Sequence, residues 1–206
     1  MAHAHLNAPL HDGASEFVQF WNEVLGPKIN RFRHILAGGL TRHSEAVFPI
    51  LPVREGDRVV DVGCGWGDTA MELARMVGPT GSVTGIDCCD LCLDIARGEL
   101  AEAGLDNVTF LRGDAEVALP EGAFDFAFAR FGTMFFANPV AGLRNMRRSL
   151  RPGGRMVASS GAIPGTVAGC RWPRRWCCAS CRRRAKGRGP ACQARSRWPT
   201  SRRCPR

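Results

Sequence analysis

Residues 58–67 read Arg58-Val59-Val60-Asp61-Val62-Gly63-Cys64-Gly65-Trp66-Gly67. A β-branched run predicts a strand, and three glycines at alternate positions predict a sharp turn against which a ligand can lie without meeting a Cβ. The residues that follow, Asp68 to Met76, carry a helical pattern. Backbone N–H groups at such a helix start can face a carboxylate. The glycine spacing is GxGxG, whereas dinucleotide-binding turns show GxGxxG. Asp61 stands two positions before Gly63, where its charge meets the ammonium of an amino-acid-like ligand, directly or through water. A pyrophosphate gains nothing from that charge. A nicotinamide-dependent dehydrogenase remains the alternative for this turn, and it predicts NAD binding.

Downstream the rhythm of strand, turn and helix continues. Ser82–Asp87, Val108–Leu111 and Phe124–Ala129 read as further strands, and Arg155–Ala158 begins a fifth. Between them, Leu91, Ile95, Ala96 and Leu100 mark one helix, and Val140, Leu143, Met146 and Leu150 mark another, ended by Arg151-Pro152-Gly153-Gly154. This alternation predicts an α/β fold with a parallel sheet and right-handed crossovers. Asp87 ends the second strand, where a carboxylate can accept both hydroxyls of a ribose. Asp114-Ala115 follows the third, where the carboxylate can accept the exocyclic amine of adenine. Three acids at successive strand tips would converge on the crevice where open α/β sheets bind ligands.

Upstream, Phe17, Phe20, Trp21, Val24 and Leu25 recur at helical spacing, and Pro27 interrupts or kinks that pattern. A second helix is expected around Ile35 and Leu36, ending near Gly38-Gly39, and a third over Ser44 to Leu51. The expected organisation is therefore an N-terminal helical segment over 1–52, a ligand-binding core over 53–158 and a tail over 159–206.

The segments VVDVGCGWGD (59–68), GSVTGID (81–87), GDAE (113–116) and FDFAFARFGTMFFANPVAGLRNMRRSLRPGGRMV (124–157) resemble, in order and spacing, the class I S-adenosylmethionine-dependent methyltransferases. The likeness is to the small-molecule branch typified by ubiquinone/menaquinone-biosynthesis methyltransferases, the methyltransferase type 11 domain. It covers roughly residues 50 to 157, with a weaker likeness around Phe20-Trp21-Asn22. The resemblance implies a Rossmann-like sandwich with S-adenosyl-L-methionine as cofactor and a small-molecule methyl acceptor. It places Asp61, Gly63, Gly65 and Gly67, with Cys64 between them, around the methionine moiety. It places Asp87, with Cys88, at the ribose, Asp114 and Ala115 at the adenine, and Arg130 and Phe131 beside the methyl-donor pocket. Family members commonly read I-S-x-x-M-L after the second acid; here the stretch is Cys88-Cys89-Asp90-Leu91-Cys92-Leu93, so that Cys92 stands where a residue packs on adenine. Sulfur and modest size make that a tolerable exchange. Trp66 replaces a small or polar loop residue and narrows the pocket. Phe17, Trp21 and Phe135 are the expected acceptor lid. The sulfonium is already activated, so alignment and exclusion of water are the main tasks. No side chain identifies itself as a general base, and none is assigned as catalytic.

Charge and cysteine usage bound the remaining readings. The chain has 206 residues and a formal net charge of +9, yet all 19 acidic residues lie at or before Asp125. Arginines crowd the end, and residues 161–206 contain no Leu, Phe, Asp or Glu. Such a stretch buries too little surface to offset its ordering entropy, so the tail is expected to be disordered or non-native. Its Arg, Cys, Trp, Pro, Ser, Gly and Ala are all encodable by GC-rich codons, and it reads like a coding sequence translated out of frame. In the family, a helix and an antiparallel hairpin follow the fifth strand, so the C-terminal part is expected to be incomplete. A truncated, inactive remnant that at most binds the cofactor is accordingly the alternative function. The tail is expected to bind polyanions without specificity, not to recognise a nucleic acid. Cys88, Cys89 and Cys92 read as a helix start packed with small soft residues in preference to a metal or arsenic site, and His3, His5 and His11 as a terminus without metal. No run of 18 apolar residues and no basic-then-apolar leader is present, so a cytoplasmic location without a membrane span is expected.

Overall fold

Val59, Val60, Asp61 and Val62 are all within 1% of fully buried, although only alternate residues of a strand share a face. A strand with no exposed face lies inside a sheet covered on both sides, which fits the unbroken apolar character of parallel strands. The computed structural model describes residues 15–160. It places this strand, β1 (Arg58–Val62), at the centre of five parallel strands with β2 (Ser82–Asp87), β3 (Val108–Arg112), β4 (Phe124–Arg130) and β5 (Leu150–Ser159), in the order β3-β2-β1-β4-β5. The order runs one way from β1 through β3 and the other way from β4, so the reversal falls between β1 and β4.

Helices cover both faces. On one side, Ala70, Leu73, Ala74 and Val77 of α4 (Asp68–Val77) and Leu93 and Ala96 of α5 (Asp90–Ala103) pack with Val59, Phe126 and Phe128. On the other, Met146 and Leu143 of α6 (Pro139–Ser149) pack with Val60, Val62, Ile86 and Ala127. The α/β class expected from the sequence is the one observed. Gly67 enters α4 at φ +82°, and a Cβ there would stand 2.6 Å from the Phe110 ring and 2.9 Å from Ala96. The third glycine of the elbow therefore serves close packing of helix on sheet.

Ahead of the sheet run α1 (Glu16–Phe20), a π-helical turn (Trp21–Leu25), α2 (Gly26–Arg31), α3 (Arg33–Val47) and a 3-10 turn (Phe48–Ile50). Pro27 interrupts the α-helical pattern as expected: the preceding turn widens, with the Gly26 N–H reaching Trp21 O, and α2 begins at Gly26 with the proline in its first turn. A widened turn relieves the collision of a proline ring with the carbonyl four residues back. The helix around Ile35 does not stop at Gly38-Gly39. Neither glycine has a positive φ, and mid-helix glycine costs only about 1 kcal/mol relative to alanine. The separate helix expected from Ser44 is the end of α3 plus the 3-10 turn at Pro49. At the far end, Arg151–Gly154 is an irregularity inside β5, whose register jumps from Phe124↔Leu150 to Phe126↔Arg155, with Gly153 at φ +84°. Expectations for His3, His5, His11 and the tail from 161 on lie outside the described residues. Among the described residues no helix is long and apolar enough to cross a membrane.

Candidate functional site

A cavity of about 350 Å³ opens at the carboxyl ends of the strands, at the reversal between β1 and β4. Its floor is the loop from β1 to α4. Gly63 has φ +70°, and a Cβ there would lie 2.9 Å from the Cα of Gly132, in the loop after β4. A Cβ on Gly132 would in turn stand 2.9 Å from Val62 O. The two loops thus touch main chain to main chain, which only glycine permits. Gly65, at φ +53°, has open space where its Cβ would be.

Asp87, Cys88, Asp114 and Ala115 form one wall. The Gly65 N–H donates to Asp87 Oδ2 at 2.8 Å, and the Cys89 N–H donates to Oδ1 at 2.9 Å. Burial raises the Asp87 pKa, and hydrogen bonds from the Cys89, Gly65 and Cys88 backbone work against that rise. Asp114, 8% exposed, accepts from the Glu116 N–H at 2.8 Å. Cys64 and Cys92 also line the cavity, nearly fully buried, with their thiols held protonated: by burial at Cys64, and chiefly by the hydrogen bond with Cys89 at Cys92. Among the described residues no group of His, Cys, Asp and Glu is arranged to hold a metal, and the cysteines there are free thiols.

The opposite wall is Arg130, Phe131 and Gly132. The Arg130 guanidinium donates to Asp68 Oδ2 at 2.7 Å and to Ser44 Oγ at 2.6 Å. It straps the C-terminal half of α3 to the first turn of α4. Phe131 adopts φ +63°, the one non-glycine residue among those described with a positive φ, and its ring centroid lies 4.7 Å from that of His43. Burial and the Arg130 charge lower the His43 pKa. A non-glycine residue held in this region carries strain of the kind found at ligand sites.

The roof is apolar. Trp21, Ile29, Leu36 and Leu40 come from the N-terminal helices and line it together with Phe135. Trp21 meets Phe135 edge to face at 5.1 Å and Phe17 at 6.3 Å. All three expected lid residues therefore lie at the cavity.

Two of the residues singled out in the sequence do not line it. Gly67 packs behind the elbow, and Asp61 is fully buried beneath it. Asp61 Oδ2 accepts from Thr69 Oγ1 at 2.5 Å, while Oδ1 is buried with no hydrogen-bond partner. Burial pushes the carboxyl up to about 7; the Thr69 hydrogen bond and Arg130 oppose this, and Asp68 and Asp87 add to it. No local pattern signals the Arg130 strap to Ser44 and Asp68, because its partners are 86 and 62 residues away.

Residues 59–154 match a family model described as a methyltransferase domain. The chain is 35% identical over 154 residues to the ubiquinone/menaquinone biosynthesis C-methyltransferase UbiE of Pseudomonas putida, covering 73% of this chain and 60% of that protein. It is 32% identical over 148 residues to the demethylmenaquinone methyltransferase of Listeria monocytogenes, covering 69% and 62%. The chain thus spans less than two thirds of the length of these relatives. Among solved structures, a SAM-dependent methyltransferase from Aquifex aeolicus superposes with a TM-score of 0.52 at 28% identity, over 57% of this chain and 63% of that one.

Proposed function

The core of this chain belongs to the class I S-adenosylmethionine-dependent methyltransferases, and from that premise we propose that it methylates an apolar small molecule. One observation carries the reading. A glycine floor and two carboxylates at the tips of adjacent strands, Asp87 and Asp114, line a single cavity whose roof is aromatic and aliphatic. The cavity offers an adenosine-bearing ligand groups suited to each part. Asp87 suits a sugar diol, and Asp114 with the Ala115 backbone suits an adenine edge. Cys88 and Cys92 give soft walls to the base, and Gly63, Cys64 and Gly65 give an open main-chain floor for the amino-acid end. The partnerless Oδ1 of Asp61 fits an ammonium approaching through the elbow. Arg130 and Phe131 stand where the donor and acceptor would meet.

When bound, S-adenosylmethionine supplies an activated methyl group and is released as S-adenosylhomocysteine. The chain's own contribution is then alignment and dryness. Trp21, Leu36, Leu40 and Phe135 cover the cavity with apolar surface, and the Arg130 strap holds α3 down on it. The names of the relatives, a demethylmenaquinone methyltransferase and a C-methyltransferase of ubiquinone and menaquinone biosynthesis, favour a quinone- or quinol-type ring as acceptor. An edge-to-face aromatic pair such as Trp21–Phe135 is suited to flank such a ring.

Calorimetric titration of the full chain with S-adenosylhomocysteine, with NAD as the control, tests the cofactor reading. Micromolar binding of the first and none of the second is expected; the reverse result overturns it. Transfer of a labelled methyl group to demethylated quinols tests the acceptor reading, and binding without transfer to any of them would leave a cofactor-binding chain without this activity.

A further inference from the structure

Asn22 makes contacts that its position outside the cavity gives no reason to expect. It sits in the π-helical turn immediately after Trp21, which lines the cavity. Its Nδ2 donates to Val18 O at 2.9 Å and to Cys88 O at 2.8 Å, and its Oδ1 accepts from the Asp90 N–H at 2.8 Å. Both donors and the carbonyl oxygen are engaged, and the pattern fixes which end of the amide is which. An isosteric carboxylate has no hydrogen to offer either carbonyl.

The Cys88 carbonyl belongs to the same peptide group as the Cys89 N–H, and that N–H donates to Asp87 Oδ1. The peptide is planar, with its oxygen and hydrogen on opposite sides. An amide that holds the oxygen in place therefore aims the hydrogen. Donation to the carbonyl also polarises the group and strengthens the bond its N–H makes, as in any chain of hydrogen bonds. The second contact, to Asp90, holds the next peptide and the start of α5. Close behind, a Cβ on Gly26 would stand 2.6 Å from Cys89 Sγ, so α2 lies directly against this loop. π-Helical turns inside helices are frequent at functional sites, and this one sets consecutive residues to two tasks, Trp21 at the cavity and Asn22 at the loop.

We infer that Asn22 is a positioning residue: it aims the Cys88–Cys89 peptide at Asp87 and so couples docking of the N-terminal helices to the grip of that carboxylate on the ligand's sugar. The inference rests on the proposed cofactor reading, in which Asp87 receives the ribose. Without the Asn22 bond, the Cys89 N–H is no longer held on Oδ1, and the carboxylate loses one of the backbone donors that orient it.

The test is a ligand-by-variant comparison on the full chain. Affinities for S-adenosylhomocysteine and for its 2′,3′-dideoxyribose counterpart are measured by calorimetry in the wild type, Asn22→Ala and Asn22→Asp. Asn22→Asp keeps the acceptor for the Asp90 N–H and removes the donor to Cys88. Both variants are expected to bind S-adenosylhomocysteine about tenfold more weakly, the scale of a mis-set hydrogen bond to a charge, and the dideoxy ligand within about twofold of wild type. Because both ligands report on the same folded fraction, a general loss of structure lowers the two together. Equal loss for both ligands, or no loss for either, overturns the inference. Failure of the wild type itself to bind S-adenosylhomocysteine overturns instead the cofactor reading beneath it.

Discussion

Asp61 has a consequence for stability that depends on pH alone. Its carboxyl is fully buried, one oxygen has no partner, and its pKa rises from 3.8 to about 7. A carboxyl whose folded pKa exceeds its unfolded value holds its proton more tightly in the folded chain. Folding stability is therefore undiminished below the unfolded value, falls as pH rises from about 4 to about 7, and levels off above that. The full shift corresponds to about 4 kcal/mol, of which about 3 kcal/mol is lost between pH 5 and pH 8. Against a total stability of roughly 5–15 kcal/mol that is a large fraction. The measurement is urea unfolding of the wild type and Asp61→Asn at pH 5, 6, 7 and 8. The variant cannot titrate at this position, so the slope of the difference between the two curves isolates Asp61, whatever constant offset the new amide brings. The wild type is expected to lose about 3 kcal/mol relative to the variant across the series, nearly all of it below pH 7. Parallel curves from pH 5 to 8 would refute the reasoning, because a carboxylate with an ordinary pKa is already ionised at pH 5.

Ligand binding should carry the same signature: if an ammonium meets ionised Asp61, affinity for S-adenosylhomocysteine rises about tenfold from pH 6 to pH 8 with proton release near pH 7, and a flat profile in the wild type rejects this. Gly63→Ala places a Cβ 2.9 Å from Gly132 Cα at φ +70° and is expected to cost about 2–4 kcal/mol in denaturant unfolding; a cost below about 1 kcal/mol contradicts the main-chain contact. Gly38→Ala has open space and a right-handed helical setting, and should stabilise the chain by up to about 1 kcal/mol in the same assay; destabilisation would show that something packs there. Arg130→Met removes the bonds to Ser44 and Asp68 and should speed amide exchange in the last turns of α3 while leaving β1 protected; unchanged exchange would mean the strap is idle.

What the sequence could reveal was decided by how local each determinant is. β1 and β2 are bounded in the structure at the residues expected, because a run such as Val59-Val60-Asp61-Val62 and its glycine elbow depend on neighbours within a few positions. α3 runs past its expected end because Gly38-Gly39 is a weak stop: neither glycine has a positive φ, and no residue after them forces a turn. β5 starts earlier than expected, at Leu150, because a bulge such as Arg151–Gly154 is fixed by the partner strand β4. At the site, Asp87, Asp114, Arg130 and Phe131 were recognisable as strand-tip residues. That Asp61 stops short of the cavity, bonded to Thr69, was not, since burial depends on what α4 lays over it. Asn22 carries only a faint likeness in the sequence, because its partners in the loop after β2, Cys88 and Asp90, are 66 and 68 residues away, beyond any local pattern.

The contact between Gly63 and Gly132 divides the cavity into a part that evolution can edit and a part it cannot. Where two loops meet backbone to backbone, there is no side chain to exchange, and every larger residue pushes the loops apart. Novelty in what the chain accepts must then be written overhead, in Trp21, Ile29, Leu36 and Leu40, where a substitution reshapes the space without disturbing the hinge of the sheet beneath.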